Sequence, residues 1–177
     1  MPVFTVIAET TMSATAQQVN FTSIPSSYDH LYLTCSTREG GSSYSAEMEF
    51  RFNGSGSGPY SNTYLNTYNS SGHPISSRDT SVGDVIGLTT AGGVLADTFS
   101  SIIMWIPHYA NTSNGKQVFI QSLGPNDDTT TGRWFLRLTA GLWNNTAAIN
   151  AIRMQGAGGP ELVVGTSLVL YGITNDA

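Results

Sequence analysis

Hydrophobic positions along the chain follow the spacing of β-structure. Glu47 to Phe52 (EMEFRF) alternates strictly, with Met48, Phe50 and Phe52 on one side and Glu47, Glu49 and Arg51 on the other. A period of two is that of a strand with one buried and one solvated face. Asp29 to Thr37 alternates in the same way, Leu31, Leu33 and Cys35 opposing His30, Tyr32 and Thr34. Arg133 to Thr139 is predicted to turn Trp134, Leu136 and Leu138 to one face and Arg133, Phe135 and Arg137 to the other. The stretch Ala96 to Tyr109 (ADTFSSIIMWIPHY) breaks the rule: Ile102, Ile103, Met104, Trp105 and Ile106 follow one another until Pro107 stops them. Isoleucine and tryptophan favour strand over helix, and so does the abrupt proline. Unbroken apolarity predicts a central strand covered on both faces.

Further strands are predicted at Val3–Ala8, Val19–Thr22, Val82–Leu88, Lys116–Leu123, Trp143–Met154 and Ser167–Ile173. Asn53-Gly54 is a strong turn signal opening a Gly/Ser loop, and Ala91-Gly92-Gly93, Ala110–Gly115 and Gly124–Gly132 read as turns. Tyr60 to Thr80 carries Tyr60, Tyr64 and Tyr68 at a spacing of four. Asn, Thr, Ser and Gly fill the gaps and disfavour a helix, so this stretch is predicted as a surface loop with aromatic anchors. Short strands with frequent turns and no long helix predict an all-β fold, a jelly-roll-like antiparallel β-sandwich of about 8–10 strands. Strands at both ends of the chain would let the termini pair in one sheet. No repeat or linker divides the chain, so residues 1–177 are read as one domain.

Composition narrows the function more than the fold. Charged residues make up 11% of the chain and the net charge is −5. The seven Lys and Arg are scattered, which argues against direct nucleic-acid binding and against a polybasic membrane anchor. No stretch reaches the length of a membrane-spanning helix. No signal peptide is visible after Met1, so synthesis in a cytosol is expected. Cys35 is alone and lies on an apolar strand, where a buried, inert thiol is expected.

Candidate chemistry is sparse. His30, His73 and His108 are not spaced as metal ligands, and Asp127-Asp128 lacks the pattern of a calcium loop, so no metal is expected. Gly54–Gly58 fits neither a phosphate-binding loop nor a nucleophile elbow, and no catalytic motif surrounds any acid. Neither an enzymatic activity nor a cofactor is therefore expected. The aromatics remain: Tyr60, Tyr64, Tyr68, Trp105, Tyr109, Trp134 and Trp143 suit a core, a subunit interface or a sugar-stacking platform. Ile102, Met104 and Ile106, with Tyr60, Tyr64, Tyr68 and Tyr109, are the candidate contacts with a second subunit or a partner.

Five segments, taken in order, resemble a β-sandwich domain of virion proteins from tailed bacteriophages, including those of cyanobacteria. They are FTSIPSSYDHLYL at Phe21–Leu33, FRFNGSGSGPYSNTYL at Phe50–Leu65, MWIPHYANTSNGK at Met104–Lys116, GLWNNTAAINAIRM at Gly141–Met154 and SLVLYGI at Ser167–Ile173. The resemblance implies a structural protein made in the host bacterial cytoplasm and carried on the virion. A capsid decoration (cement) protein would bind the major capsid protein on the head as a homotrimer. The alternative within the same family is a tail or fibre module that recognises a host-surface glycan.

Overall fold

In a computed structural model, residues 1–56, 59–68, 75–124, 134–159 and 161–175 are described. They form twelve strands and, among the described residues, no helix: β1 (Val3–Thr11), β2 (Gln18–Phe21), β3 (His30–Thr37), β4 (Ser45–Phe52), β5 (Tyr60–Tyr68), β6 (Ile75–Val82), β7 (Val85–Thr90), β8 (Ser100–Pro107), β9 (Lys116–Gly124), β10 (Phe135–Trp143), β11 (Ile152–Gly156) and β12 (Ser167–Thr174). An eight-stranded sheet runs β1-β12-β3-β8-β9-β10-β5-β6 and a four-stranded sheet runs β2-β11-β4-β7. Every neighbouring pair is antiparallel, so the chain is an all-β sandwich, as the alternation predicts. The terminal strands β1 and β12 do pair.

The core lies between the sheets. Met48, Phe50 and Phe52 of β4 face Leu31, Leu33, Ile102, Met104, Ile106 and Ile120 of the large sheet, all essentially inaccessible to solvent. Phe52, Tyr60 and Trp143 pack ring on ring, with centroids 5.7–6.3 Å apart. The small sheet is also tied to the large one by polar bonds. Ser122 Oγ accepts from the Leu88 N–H at 3.0 Å, and Thr139 Oγ1 donates to the Ile86 carbonyl at 2.9 Å. At Gly87 a side chain would approach Ser122 Oγ to 3.1 Å, so glycine permits the close contact of the sheets here.

Four details differ from the sequence reading. The stretch expected to be a tyrosine-bearing loop is the β5–β6 pair, which raises the strand count above the expected range. Its period is masked because Asn62 and Asn66 point inward beside Tyr60. Their amides are satisfied there: Asn62 Nδ2 donates to the Asp84 carbonyl at 2.9 Å and Asn66 Oδ1 accepts from Arg137 Nε at 2.5 Å. The predicted Val82–Leu88 strand is broken at Gly83-Asp84, between β6 and β7. The predicted Trp143–Met154 strand is two strands with an irregular link at 144–151, fixed by Asn53, which bonds the backbone of Ala148, Asn150 and Ala151. In β10 the faces are reversed: Phe135 and Arg137 are buried, whereas Trp134 is 39% exposed and Leu136 and Leu138 are half-buried. Arg137 tolerates burial because it bonds Asn66 and Glu47 and lies 4.4 Å over the Tyr64 ring. Arg133, His73 and Asp127-Asp128 lie outside the described residues.

Candidate functional site

The apolar run in β8 alternates in burial although not in composition. Ile102, Met104 and Ile106 point into the sandwich, whereas Ile103 and Trp105 point out and are half-buried by their sheet neighbours. The expectation that both faces are covered therefore holds for the inner face only. Strand register extends the outer positions into rows across β5, β10, β9, β8, β3 and β12. One row is Thr63, Ala140, Phe119, Trp105, Tyr32, Tyr171. The next is Leu65, Leu138, Gln121, Ile103, Thr34, Val169, and the third Thr67, Leu136, Leu123, Ser101, Ser36, Ser167. None of these three rows contains a charged residue. Leu65, Phe119 and Leu123 are each 45% exposed, a concentration of bared apolar side chains that solvated sheet faces seldom carry.

The outer face of the four-stranded sheet is the opposite in character. Glu47, Glu49 and Arg51 of β4 and Arg153 of β11 stand on it. Arg51 pairs with Asp84 and with Glu49, the latter at 3.5 Å, and Gln155 donates to Glu49 at 2.7 Å. The two broad faces thus differ in charge: the outer face of the small sheet carries ion pairs, and the centre of the large one carries none.

Where β8 leads into β9 the large sheet ends in a polar loop. His108 follows Pro107 with φ 48°, and its N–H donates to His30 Nδ1 at 3.1 Å. His30 must hold that nitrogen unprotonated, in keeping with burial and the nearby His108, which lower its pKa. Asn111 Oδ1 accepts from the N–H groups of Ser113 and Asn114 at 2.6 and 3.2 Å. Lys116 is almost wholly buried, donating to the carbonyls of Asn114 and Thr146 at 2.8 and 3.0 Å, and desolvation lowers its pKa. Loss of hydration costs the ammonium, and the two carbonyl dipoles offset part of that.

A second polar cluster lies at the opposite end of the sandwich. The hydroxyls of Thr37, Thr89 and Ser100 bond one another at 2.8–3.1 Å. Just past β3, Glu39 is buried with Oε1 unbonded among the described residues, and burial raises its pKa to about 7.

Of the predicted contact residues, Ile102, Met104, Ile106, Tyr60 and Tyr109 are core residues with at most 1% exposure, so they touch this chain's own interior. The inward sides of β5 and β8 and the closure of Tyr109 onto the Pro25 carbonyl put them there. Tyr64 is half-buried beneath Arg137, and the side chain of Tyr68 lies outside the described residues. The residues that do form an exposed face, Leu65, Phe119, Leu123 and Leu138, were not singled out. The signal for them was apolarity at both parities of β8 and β10, and Phe119 amid the outward glutamines of β9. Cys35 is buried, and desolvation pushes its thiol far above the ordinary range, as expected of an inert cysteine. Among the described residues no group of His, Cys, Asp and Glu is placed to hold a metal ion.

No family model and no curated protein matches this chain. A galectin from Caenorhabditis elegans is similar in fold outline at 8% identity and a TM-score of 0.36, over 94% of this chain and 96% of that one.

Proposed function

We propose that this protein is a non-enzymatic structural component of a tailed-phage virion, a decoration protein that stabilises the head shell as a homotrimer. The observation that carries the reading is the outer face of the large sheet, partly apolar and without charge across its six inner strands. Six strands at ~4.8 Å spacing and five residues at ~3.3 Å give a charge-free patch of roughly 500 Å², the centre of a face whose edge strands add further area toward the ~800 Å² per partner of a stable interface. Its centre lacks charge, as the core of an interface does, and holds Leu, Ile, Phe and Trp among Ser, Thr and Gln. Support for the virion comes from the five segments that resemble phage virion domains.

The mechanism would be mechanical. Subunits that bind only the assembled shell stabilise it by mass action, and repetition by symmetry multiplies a modest contact. The apolar centre around Leu65, Ile103, Leu123 and Leu138 supplies contact energy, at about 25 cal/mol per Å² removed from water. Light scattering on the purified protein should give a trimer mass, and Leu123→Glu with Leu65→Glu should give a folded monomer. A wild-type monomer at virion-like concentration would refute the oligomer. Gold labelling of intact virions should mark the head; label confined to the tail would refute the decoration role.

A further inference from the structure

Two Asn-Gly pairs occur in the chain, Asn53-Gly54 and Asn114-Gly115, and the fold treats them in opposite ways. An asparagine followed by glycine can cyclise. The glycine nitrogen, once it loses its proton, attacks the side-chain carbon Cγ, and ammonia leaves. Glycine suits this step because no Cβ crowds its nitrogen or restricts its backbone. At Asn53 the step is opposed. Its Oδ1 accepts from the N–H groups of Asn150 and Ala151 at 2.8 and 3.1 Å, and its Nδ2 donates to the Ala148 carbonyl at 2.7 Å. These bonds must open before Cγ can turn to Gly54. Asn114 is exposed in the turn between β8 and β9, and its side-chain amide makes no hydrogen bond among the described residues.

Asn114 has a second feature that Asn53 lacks. The buried ammonium of Lys116 donates to the Asn114 carbonyl at 2.8 Å, and that carbonyl belongs to the peptide unit whose nitrogen is that of Gly115. When the Gly115 N–H loses its proton, the negative charge spreads onto this oxygen. A fixed cation bonded to it stabilises the anion where it develops, as an oxyanion site does. A second bond, to the Thr146 carbonyl at 3.0 Å, holds the ammonium in place while the ring forms.

We propose that Asn114 is a site of spontaneous deamidation, promoted by Lys116, with isoaspartate as its main product. The reaction needs no co-reactant but water. The Gly115 nitrogen bonds to Asn114 Cγ, the Cγ–Nδ2 bond breaks, and Nδ2 leaves as ammonia, its third proton replacing the one that Gly115 gave up. The product is a five-membered cyclic imide. Water then opens the ring at one of its two carbonyls. Attack at Cγ gives aspartate. Attack at the main-chain carbonyl carbon gives isoaspartate, in which the chain runs through Cγ and the former main-chain carbonyl is a free carboxylate. Lys116 polarises the second of these carbonyls and so directs water to it. The outcome also suits Lys116, which has no anionic partner among the described residues: one of its two carbonyl partners becomes a carboxylate. The change adds a negative charge at one end of the large sheet, in a chain of net charge −5.

The test is ageing of the full chain in warm, mildly alkaline buffer, native and in urea, followed by trypsin and mass spectrometry. Cleavage after Arg51, Arg78 and Lys116 puts the two pairs on separate peptides, Phe52–Arg78 and Asp79–Lys116. A gain of about 1 Da marks deamidation, and electron-transfer fragmentation assigns the residue and separates isoaspartate from aspartate. In the native chain Asn114 should convert about a hundredfold faster than Asn53, whose three bonds must open first. In urea the two rates should agree within about threefold. Lys116→Met, which keeps the length and removes the charge, should slow native conversion of Asn114 about tenfold and abolish the preference for isoaspartate. If that variant does not fold, the wild-type products carry the test, since isoaspartate should take a larger share after native ageing than after ageing in urea. Equal native rates at Asn53 and Asn114 would overturn the proposal, as would a native Asn114 that stays intact while the unfolded chain converts. Equal product shares in the native and unfolded chain, or an undiminished rate in folded Lys116→Met, would overturn the part assigned to Lys116.

Discussion

Replacing Glu39 by glutamine should flatten the pH dependence of stability between pH 5 and 8. Glu39 follows β3, where its N–H donates to the Thr90 carbonyl at 2.9 Å, and it is 1% exposed with Oε1 unbonded among the described residues. Burial raises its pKa from 4.5 to about 7. The folded chain therefore holds this proton more tightly than the unfolded one. The stability it confers is complete below pH 4.5, falls as pH rises, and is gone above about pH 7. At ~1.4 kcal/mol per pH unit across that window, the loss is at most about 3 kcal/mol. Glutamine keeps the shape but cannot ionise, so whatever its amide costs is independent of pH. Urea unfolding of both proteins at pH 5, 6, 7 and 8 should show the variant gaining on wild type by about 2–3 kcal/mol over the series. That corresponds to roughly 5–10 °C in Tm for a chain of this size. Glu49, also raised by burial, and His30, lowered by it, are common to both proteins and cancel in the difference. A difference that stays constant from pH 5 to 8 would refute the reasoning, because it would mean that the folded chain tolerates the ionised carboxylate as readily as water does.

Met104→Ala should cost about 2–5 kcal/mol in urea unfolding and its neighbour Ile103→Ala clearly less, because only Met104 is fully enclosed by this chain. Gly172→Ala should destabilise by about 1–3 kcal/mol, since a Cβ there would sit 2.3 Å from the Tyr28 ring, and Tyr28→Ala in the same chain should return part of the loss. Cys35 should resist a thiol-alkylating reagent in the native protein and react only once denaturant opens the core, as mass spectrometry would record.

Where one face of a strand is charged, the sequence reports the fold directly: Glu47, Glu49 and Arg51 mark the outside of β4, and Met48, Phe50 and Phe52 its inside. The large sheet resists the same reading because charge does not mark its outside: Lys116 of β9 and Arg137 of β10 point inward, and β8 carries no charge at all. With Ile103 and Trp105 outside and Ile102, Met104 and Ile106 inside, nothing in the composition of β8 tells the two sides apart. The same ambiguity reversed the faces of β10, where Arg137 is the inward residue. β5 was hidden for a related reason: inward Asn62 and Asn66 have partners that lie 22 and 71 positions away, which no local pattern records. The pairing of Trp105 with Phe119 was equally illegible, since they become neighbours through register, and so was that of Lys116 with Thr146, which meet through the loop.

The distribution of charge bears on how subunits would meet. An eight-stranded sheet has two edges, and an unprotected edge invites strand addition. Here β6 carries Arg78 and Asp79, while β1 carries Glu9 and a register break between Val6 and Ala8. Charges and bulges of this kind oppose extension of a sheet. Phe4, the largest apolar group on β1, leans over the face and packs on Tyr32 and Tyr171, with centroids 5.8 and 6.2 Å apart. Its apolar surface therefore adds to the face rather than to the edge. The three rows lack charge across the six inner strands, and Arg78 and Glu9 meet them only at the two edges, opposite Thr63 and Val169. Association through the face is thus favoured over association through the edges. A trimer requires that this face meet a different patch of the neighbouring subunit, with a rotation that closes the ring, whereas strand-by-strand addition at an edge has no built-in stop.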